Sequence, residues 1–403
     1  IVIIFIVVSI AATYPDMGQR PGLDIVRHFT SSQLVNSRPE SYASPYPWFH
    51  FQWASLLLFY EGSREIFQTT LAYLSIISVL SFYVLAKAYL SDLDERLPVL
   101  STVLWGLFSG FGWLHFLSLR LGSEGQFNYL KLLGMANDAS YWDIGYGQGP
   151  WIWLWFRPLT LGMTGLFILL YLLRRNDLNL RGFLPLMSIS ILSLGLIHFS
   201  ELVFFSGLLL LLCIIFSDGK LRLRHGSIAS LIGLSSIAGF LVLYYYLGID
   251  VRISKLEIGL LFVAMILALL STVFKRRVPR LHLPNLNLNL IHYIMICLTG
   301  IWFSTLLYWY ANTESFHVSL VSSIFGVPWL LYPTLLGICG LFALPGSYYI
   351  IKRYPDRSIV VFNVVLIFAI IYGRMLTYIH VNYMSIGYWE RRIIPIVFSA
   401  SAI

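Results

Sequence analysis

Apolar and polar positions alternate along this chain in long blocks. Apolar runs lie near 1–13, 66–90, 98–118, 151–173, 183–198, 201–217, 228–248, 256–274, 290–311, 328–351, 358–379 and 391–403. A bilayer core about 30 Å thick takes roughly 20 helical residues. Backbone amides facing hydrocarbon are satisfied only within helices or closed barrels. The pattern therefore predicts an all-α, polytopic transmembrane helix bundle with about twelve spans, forming one transmembrane domain over 1–403. The first and last runs fall below the roughly 17-residue minimum and are expected to be incomplete spans. Residues 1–12 show no basic n-region and no cleavage site, so they do not read as a signal peptide. One apolar run departs from the pattern. Residues 48–60 are short and crowded with Trp, Phe and His, which suits a helix lying flat in the membrane interface.

Composition strengthens the membrane reading. Of 403 residues, 58% are hydrophobic and 11% charged, and mean hydropathy is +0.76; a soluble domain carries about 25% charged residues. Cys213, Cys297 and Cys339 all fall inside apolar runs, without CxxC spacing, and read as small buried hydrophobes.

The net charge of +8 changes the picture only through its distribution. Arg96, then Arg174, Arg175 and Arg181, then Lys220, Arg222 and Arg224, then Lys275, Arg276, Arg277 and Arg280, then Lys352, Arg353 and Arg357 occupy alternate short loops. That alternation places those loops in the cytoplasm by the positive-inside rule. The basic excess is thus a topology signal, and no nucleic-acid partner is expected. The opposite, extracytoplasmic side receives the two long connections, 14–65 and 119–150, most of the acidic residues, and His28, His50, His115, His198, His317 and His380. Long connections in compact proteins are often functional. The expected location is a cell membrane, with the working face outside.

The first long loop contains "GLDIVRHF", which sets Asp24 four residues before His28, and later "SPYPWFHFQWASLLLFY" over 44–60, ending its Tyr-Pro-Trp-Phe-His run at His50. On a helix starting near Leu23, Asp24 and His28 share one face. They then orient each other or jointly bind a divalent metal; the plainer use of Asp24 is as a helix cap, with His28 as polar surface. The prolines at 45 and 47 force an extended entry into the second segment.

One span, a long external loop with an early Asp-x-x-x-His, and a following Tyr-Pro-x-Phe-His together resemble archaeal-type polytopic members of the GT-C superfamily of membrane glycosyltransferases. No paired Asp-x-Asp occurs in this loop. The resemblance implies two flat helices in the first loop, and Asp24 as catalytic base or metal ligand with His28 in support. It also implies a polyprenyl-phosphate-linked sugar donor entering from the membrane lipid, and a lipid, glycan or protein acceptor.

Other residues suit the same chemistry. Arg157, just inside the fourth apolar run and followed by Pro158, offers a bidentate fork to a phosphate; equally it snorkels beside Trp151, Trp153 and Trp155. In "HFSE", His198 and Glu201 separate two short runs, either lining a cavity or forming an ordinary turn with Glu201 capping or solvated. Arg374 is the deepest cation of its run. Tyr388, Arg391 and Arg392 stand on the side where basic residues are disfavoured, as gripping an external lipid phosphate would require; pairing with Glu390 or a first-loop acid is the structural alternative. His50 joins these as a candidate for substrate binding. The histidines lack the local spacing of a zinc motif. No nucleotide-binding glycine loop and no G-x-S-x-G occurs. A secondary transporter would also use many spans and intramembrane charge, although no internal repeat is visible. A non-catalytic subunit of a larger membrane complex is the third class.

Overall fold

The computed structural model describes residues 3–4, 23–42, 44, 46–60, 63–107, 158–175, 179–215, 226–248, 263, 266, 332–355, 358–379 and 388–403. Among these, every regular element is helical: α1 (Leu23–Ser37), a 3-10 turn (Pro39–Ser41), α2 (Pro47–Leu56), α3 (Ser63–Leu90), α4 (Leu97–Leu107), α5 (Pro158–Arg174), α6 (Leu180–Ile197), α7 (Phe199–Ile215), α8 (Gly226–Tyr246), α9 (Tyr332–Arg353), α10 (Val360–Ile379) and α11 (Tyr388–Ala402). The all-α reading is correct at this level. Two stretches are long and apolar enough to cross a membrane, Ala72–Leu90 of α3 and Ile228–Tyr246 of α8. The expected runs at 256–274 and 290–311 and the loop at 119–150 lie outside the described residues, apart from 263 and 266.

The chain forms two compact units, one of Ile1–Glu95 with Trp153–Val278, the other of Arg96–Ile152 with Pro279–Ile403. In the first unit α3 and α5 run parallel. Ser78 Oγ lies 3.0 Å from Thr164 Oγ1, and further along both helices the Tyr89 hydroxyl donates to Leu170 O at 2.9 Å. At their C-terminal ends Arg174 pairs with Asp92 at 2.6 Å. The helices α5 and α6 are antiparallel, since Gly165 faces Leu194 while Gly162 faces His198. An Asn179 cap starts α6, its side chain accepting from Gly182 N–H at 2.9 Å, the usual use of Asn at this position. From α8, Tyr244 donates to Gly195 O at 3.3 Å, and its ring meets Phe199 edge-on.

These directions give the unit two distinct ends. His198, Glu201 and Tyr244 cluster at one end, with Gly162 near the start of α5. Arg174 lies twelve residues further along α5, about 18 Å away at 1.5 Å per residue, and Arg181 opens α6 at that same far end. The exposed stripe of α6 is apolar, with Leu186, Ile189 and Leu192 each close to half exposed or more; a water-facing helix would carry polar residues there.

At the first end sit α1 and α2. Pro47 opens α2 where a missing N–H costs nothing. The inner face of α2 buries Phe49, His50, Trp53 and Ala54, with Phe49 and Trp53 at 0% exposure. Burial of a Phe of this kind contributes about 1.5–3 kcal/mol. Its outer face shows Trp48 and Phe51, continuing to Leu58 (73%) and Phe59 (81%) past its end. The helices α1 and α2 are tied by Asn36 Nδ2 donating to Ala54 O at 2.8 Å and by the histidines described below. The Tyr73 hydroxyl of α3 reaches Gln52 Oε1 at 3.3 Å, which fixes α2 against the bundle.

In the second unit α10 packs along α11, which also meets α9 and α4. Trp105 Nε1 donates to Ser399 Oγ at 3.0 Å, and Ser101 Oγ donates to Ala402 O at 2.6 Å. Gly337, at φ 58° and ψ −140°, kinks α9 into two helical pieces, a backbone state open to glycine and costly for other residues. Cys339 is free and buried.

Candidate functional site

The site is built where the packed pair α1 and α2 meets the α6–α7 junction. His28, from the second turn of α1, places Nδ1 2.8 Å from His50 Nε2 on α2. The other nitrogen of His50, Nδ1, lies 2.9 Å from the Tyr42 hydroxyl. Both nitrogens of this ring are therefore committed, which suits its 1% exposure. Tyr46, the residue before α2, sets its ring edge-on to His28 at 5.6 Å and stacks flat on His198, 5.3 Å away and 10° from parallel. The chain of rings thus runs from α1 through Tyr46 to the α6–α7 junction.

His198 is the one non-helical residue between α6 and α7, with an extended backbone (φ −156°, ψ 106°). That break turns its ring back towards the first turn of α7, where Nδ1 bonds Glu201 Oε2, and Ser200 Oγ lies 3.0 Å from the same nitrogen. The carboxylate accepts, so Nδ1 carries the proton. Both side chains are 3% exposed, so a solvated Glu201 is ruled out: the carboxylate is buried and partnered. A buried carboxylate must find a donor, and His198 supplies it.

Room for this pair comes from Gly162 on α5. A Cβ there would stand 2.9 Å from Glu201 Oε2 and 3.0 Å from His198 Cβ. Gly162→Ala is therefore expected to cost about 1–3 kcal/mol through overpacking. Gly239→Ala on α8, where a Cβ meets nothing within 4 Å, should gain up to about 1 kcal/mol from helix propensity. Unfolding of both variants in detergent checks the contrast; equal effects would mean that Gly162 is not a contact position.

Burial and, secondarily, the neighbouring His28 lower the His50 pKa from 6.5 to about 3. Burial pushes the Tyr42 phenol above its ordinary value, with a hydrogen bond from Ser44 partly opposing. Between pH 6.5 and about 3 the unfolded chain binds a proton at His50 that the folded one refuses, so folding stability rises with pH in that window. Acidification below 6.5 is expected to cost up to about 1.4 kcal/mol per pH unit through this group. His50→Gln should flatten that part of the stability–pH curve, read by thermal unfolding from pH 7 to 5; an unchanged slope would show that His50 is protonated when folded.

Four residues singled out in the sequence, His28, His50, His198 and Glu201, thus converge. Asp24 is the second residue of α1, inside its first turn rather than at the cap position; its side chain lies outside the described residues, as does Arg157. Arg374 on α10 and Tyr388, Arg391 and Arg392 on α11 belong to the second unit, and the side chains of the last three are likewise outside the described residues. Sequence reasoning missed Tyr42, Tyr46 as the bridging ring, and Gly162. Tyr46 had a visible signal, standing in the same Tyr-Pro run as His50; Gly162 had none. Among the described residues no group of three or more His, Cys, Asp or Glu is placed to hold a metal ion. Comparison with protein-family models, curated proteins and solved structures finds no match for this chain.

Proposed function

We propose that this chain is a multi-pass membrane glycosyltransferase that moves a sugar from a polyprenyl-phosphate donor to a lipid, glycan or protein hydroxyl at the extracytoplasmic face. The observation that carries the reading is the convergence of the first-loop residues His28, Tyr42, Tyr46 and His50 with His198 and Glu201 at one end of the first unit. Acid–base groups gathered on short helices, away from the basic end marked by Arg174 and Arg181, fit a reaction on the outer surface. The aromatic rim supports the same placement. Trp48, Phe51 and Phe59 beside α2, and Tyr245 (82% exposed) and Tyr246 (80%) at the end of α8, form the kind of belt that settles at headgroup depth. An α2 that is apolar on both faces suits a helix lying flat between bundle and lipid.

In this reading Asp24 is the base for the acceptor hydroxyl, or the ligand of a divalent cation, and His28 supports it. Within the first unit Arg157 is the candidate for holding the phosphate, able to present two donors to it. The test is transfer of labelled sugar from a panel of polyprenyl-phosphate donors by purified protein in liposomes, with and without EDTA. Transfer from one donor class supports the enzyme reading, and loss with EDTA would assign the cation. Absence of transfer together with substrate flux in the same liposomes would replace the reading by a transporter.

A further inference from the structure

A proton taken from an acceptor hydroxyl at a buried membrane-surface site has to leave it. We propose that His28, His50 and Tyr42 form a proton relay that carries this proton from α1 to the turn ahead of α2, with Tyr42 as the exit; the proposal rests on the transfer reading above. The three groups form an unbroken chain, His28 Nδ1 to His50 Nε2 at 2.8 Å and His50 Nδ1 to the Tyr42 hydroxyl at 2.9 Å. Both distances are those of ordinary hydrogen bonds. The middle ring is 1% exposed, whereas His28 and Tyr42 at the two ends are partly exposed. An imidazole bonded through both nitrogens takes a proton at one and releases one at the other, without either heavy atom moving.

The balance is as follows for one turnover. Before transfer, His28 Nδ1–H donates to His50 Nε2, and His50 Nδ1–H donates to the Tyr42 oxygen, whose own O–H points away. As the acceptor oxygen bonds to the anomeric carbon and the bond from that carbon to the phosphate oxygen breaks, the proton taken from the acceptor passes to His28 Nε2. The His28 Nδ1 proton moves to His50 Nε2, the His50 Nδ1 proton moves to the Tyr42 oxygen, and the original Tyr42 hydroxyl proton leaves to water. One proton enters and one leaves, polyprenyl phosphate departs with the electron pair, and both hydrogen bonds end reversed. Rotation of the hydroxyl and a tautomer shift restore the start.

The surroundings agree with a relay rather than a store. Burial and the adjacent His28 keep His50 far less basic than a free imidazole, so no imidazolium rests in the middle. Among the described residues Tyr46 also faces His50, His198 stacks on the far side of Tyr46, and Tyr244 from α8 stands near Tyr42 and Tyr46. The Glu201 carboxylate is taken by His198 and gives His50 no counter-charge. His50 is on this account a positioning and relay residue rather than a contact for substrate.

The experiment has two arms on full-length protein in liposomes. In the first, Tyr42→Phe, which keeps the ring and loses the hydroxyl, and His50→Gln are compared with wild type in the sugar-transfer assay. A loss of about a hundredfold in kcat, the lower end of what a positioned proton-transfer group contributes, with donor KM unchanged, a displaced pH profile and a larger solvent isotope effect are expected for both. Wild-type kcat and an unaltered pH profile in Tyr42→Phe would overturn the relay. In the second arm, nitrogen-15 histidine NMR reads the coupling between His28 Nδ1 and His50 Nε2 across the shared proton, with no substrate needed. Coupling in wild type, with the shared proton moved from one ring to the other in Tyr42→Phe, supports the hydrogen-bonded chain itself even where no donor is turned over, in which case it is the transfer reading that falls. Transfer without that coupling overturns the relay and leaves the transfer reading intact.

Discussion

Asp24→Asn is expected to lower sugar transfer by about 10²–10⁴-fold, the usual contribution of a positioned general base, with little change in stability. The two effects separate because Asp24 stands in the first turn of α1. There a negative charge contributes only about 0.3–1 kcal/mol through the helix dipole. Asparagine matches the size of the side chain and removes the basic oxygen. A variant that unfolds at the wild-type temperature yet fails to transfer would place Asp24 at the reaction itself. Full transfer by Asp24→Asn would end the assignment, and His28 would then have to act without it. A cation-ligand role makes a further distinction: the residual activity of Asp24→Asn would respond to added divalent metal, whereas a pure base would not.

Glu201→Ala is expected to destabilise the protein by about 3 kcal/mol. That figure lies where the cost of a neutral orphaned polar group, about 1–3 kcal/mol, meets that of a broken buried ion pair, about 3–5 kcal/mol. The substitution takes away the acceptor of the His198 Nδ1 proton and opens a void against Gly162. Ser200 Oγ, 3.0 Å from the same nitrogen, recovers part of the loss. Glu201→Gln, which keeps an acceptor oxygen and nearly the same volume, should cost about 1 kcal/mol. Chemical unfolding in micelles orders the three proteins; a Glu201→Ala value within about 0.5 kcal/mol of wild type, the range of neutral surface changes, would mean that the pair is not a structural tie. Since His198 stacks on Tyr46, the same substitution should also loosen α2. Lower protease resistance of the α1–α2 segment in Glu201→Ala is the accompanying expectation.

Local pattern determined a good deal of this protein. Hydrophobic blocks located the helices now seen as α3, α6, α7, α8, α9 and α10 to within a few residues, because a helix in an apolar setting is specified by a continuous run and little else. Prolines at 45 and 47 announced the entry to α2, since a proline sets its own φ and removes a donor. Residue type and loop position alone singled out His28, His50, His198 and Glu201. What the sequence did not contain was their relation. His28 and His198 are 170 positions apart, and no periodicity or spacing rule acts over that distance. Their linkage through Tyr46 depends on α2 docking against α6 and on Tyr46 reaching the rings of both His28 and His198. Gly162 is the clearest case of tertiary decision: as a letter it is one of 30 glycines, and only the approach of Glu201 to within a Cβ's width makes it necessary. The same holds for His50, a polar residue on an apolar helix by sequence. Its buried position, with both nitrogens spoken for, was decided by the packing of α1 across α2, because burial and hydrogen-bond partners belong to the assembled bundle and not to any segment of it.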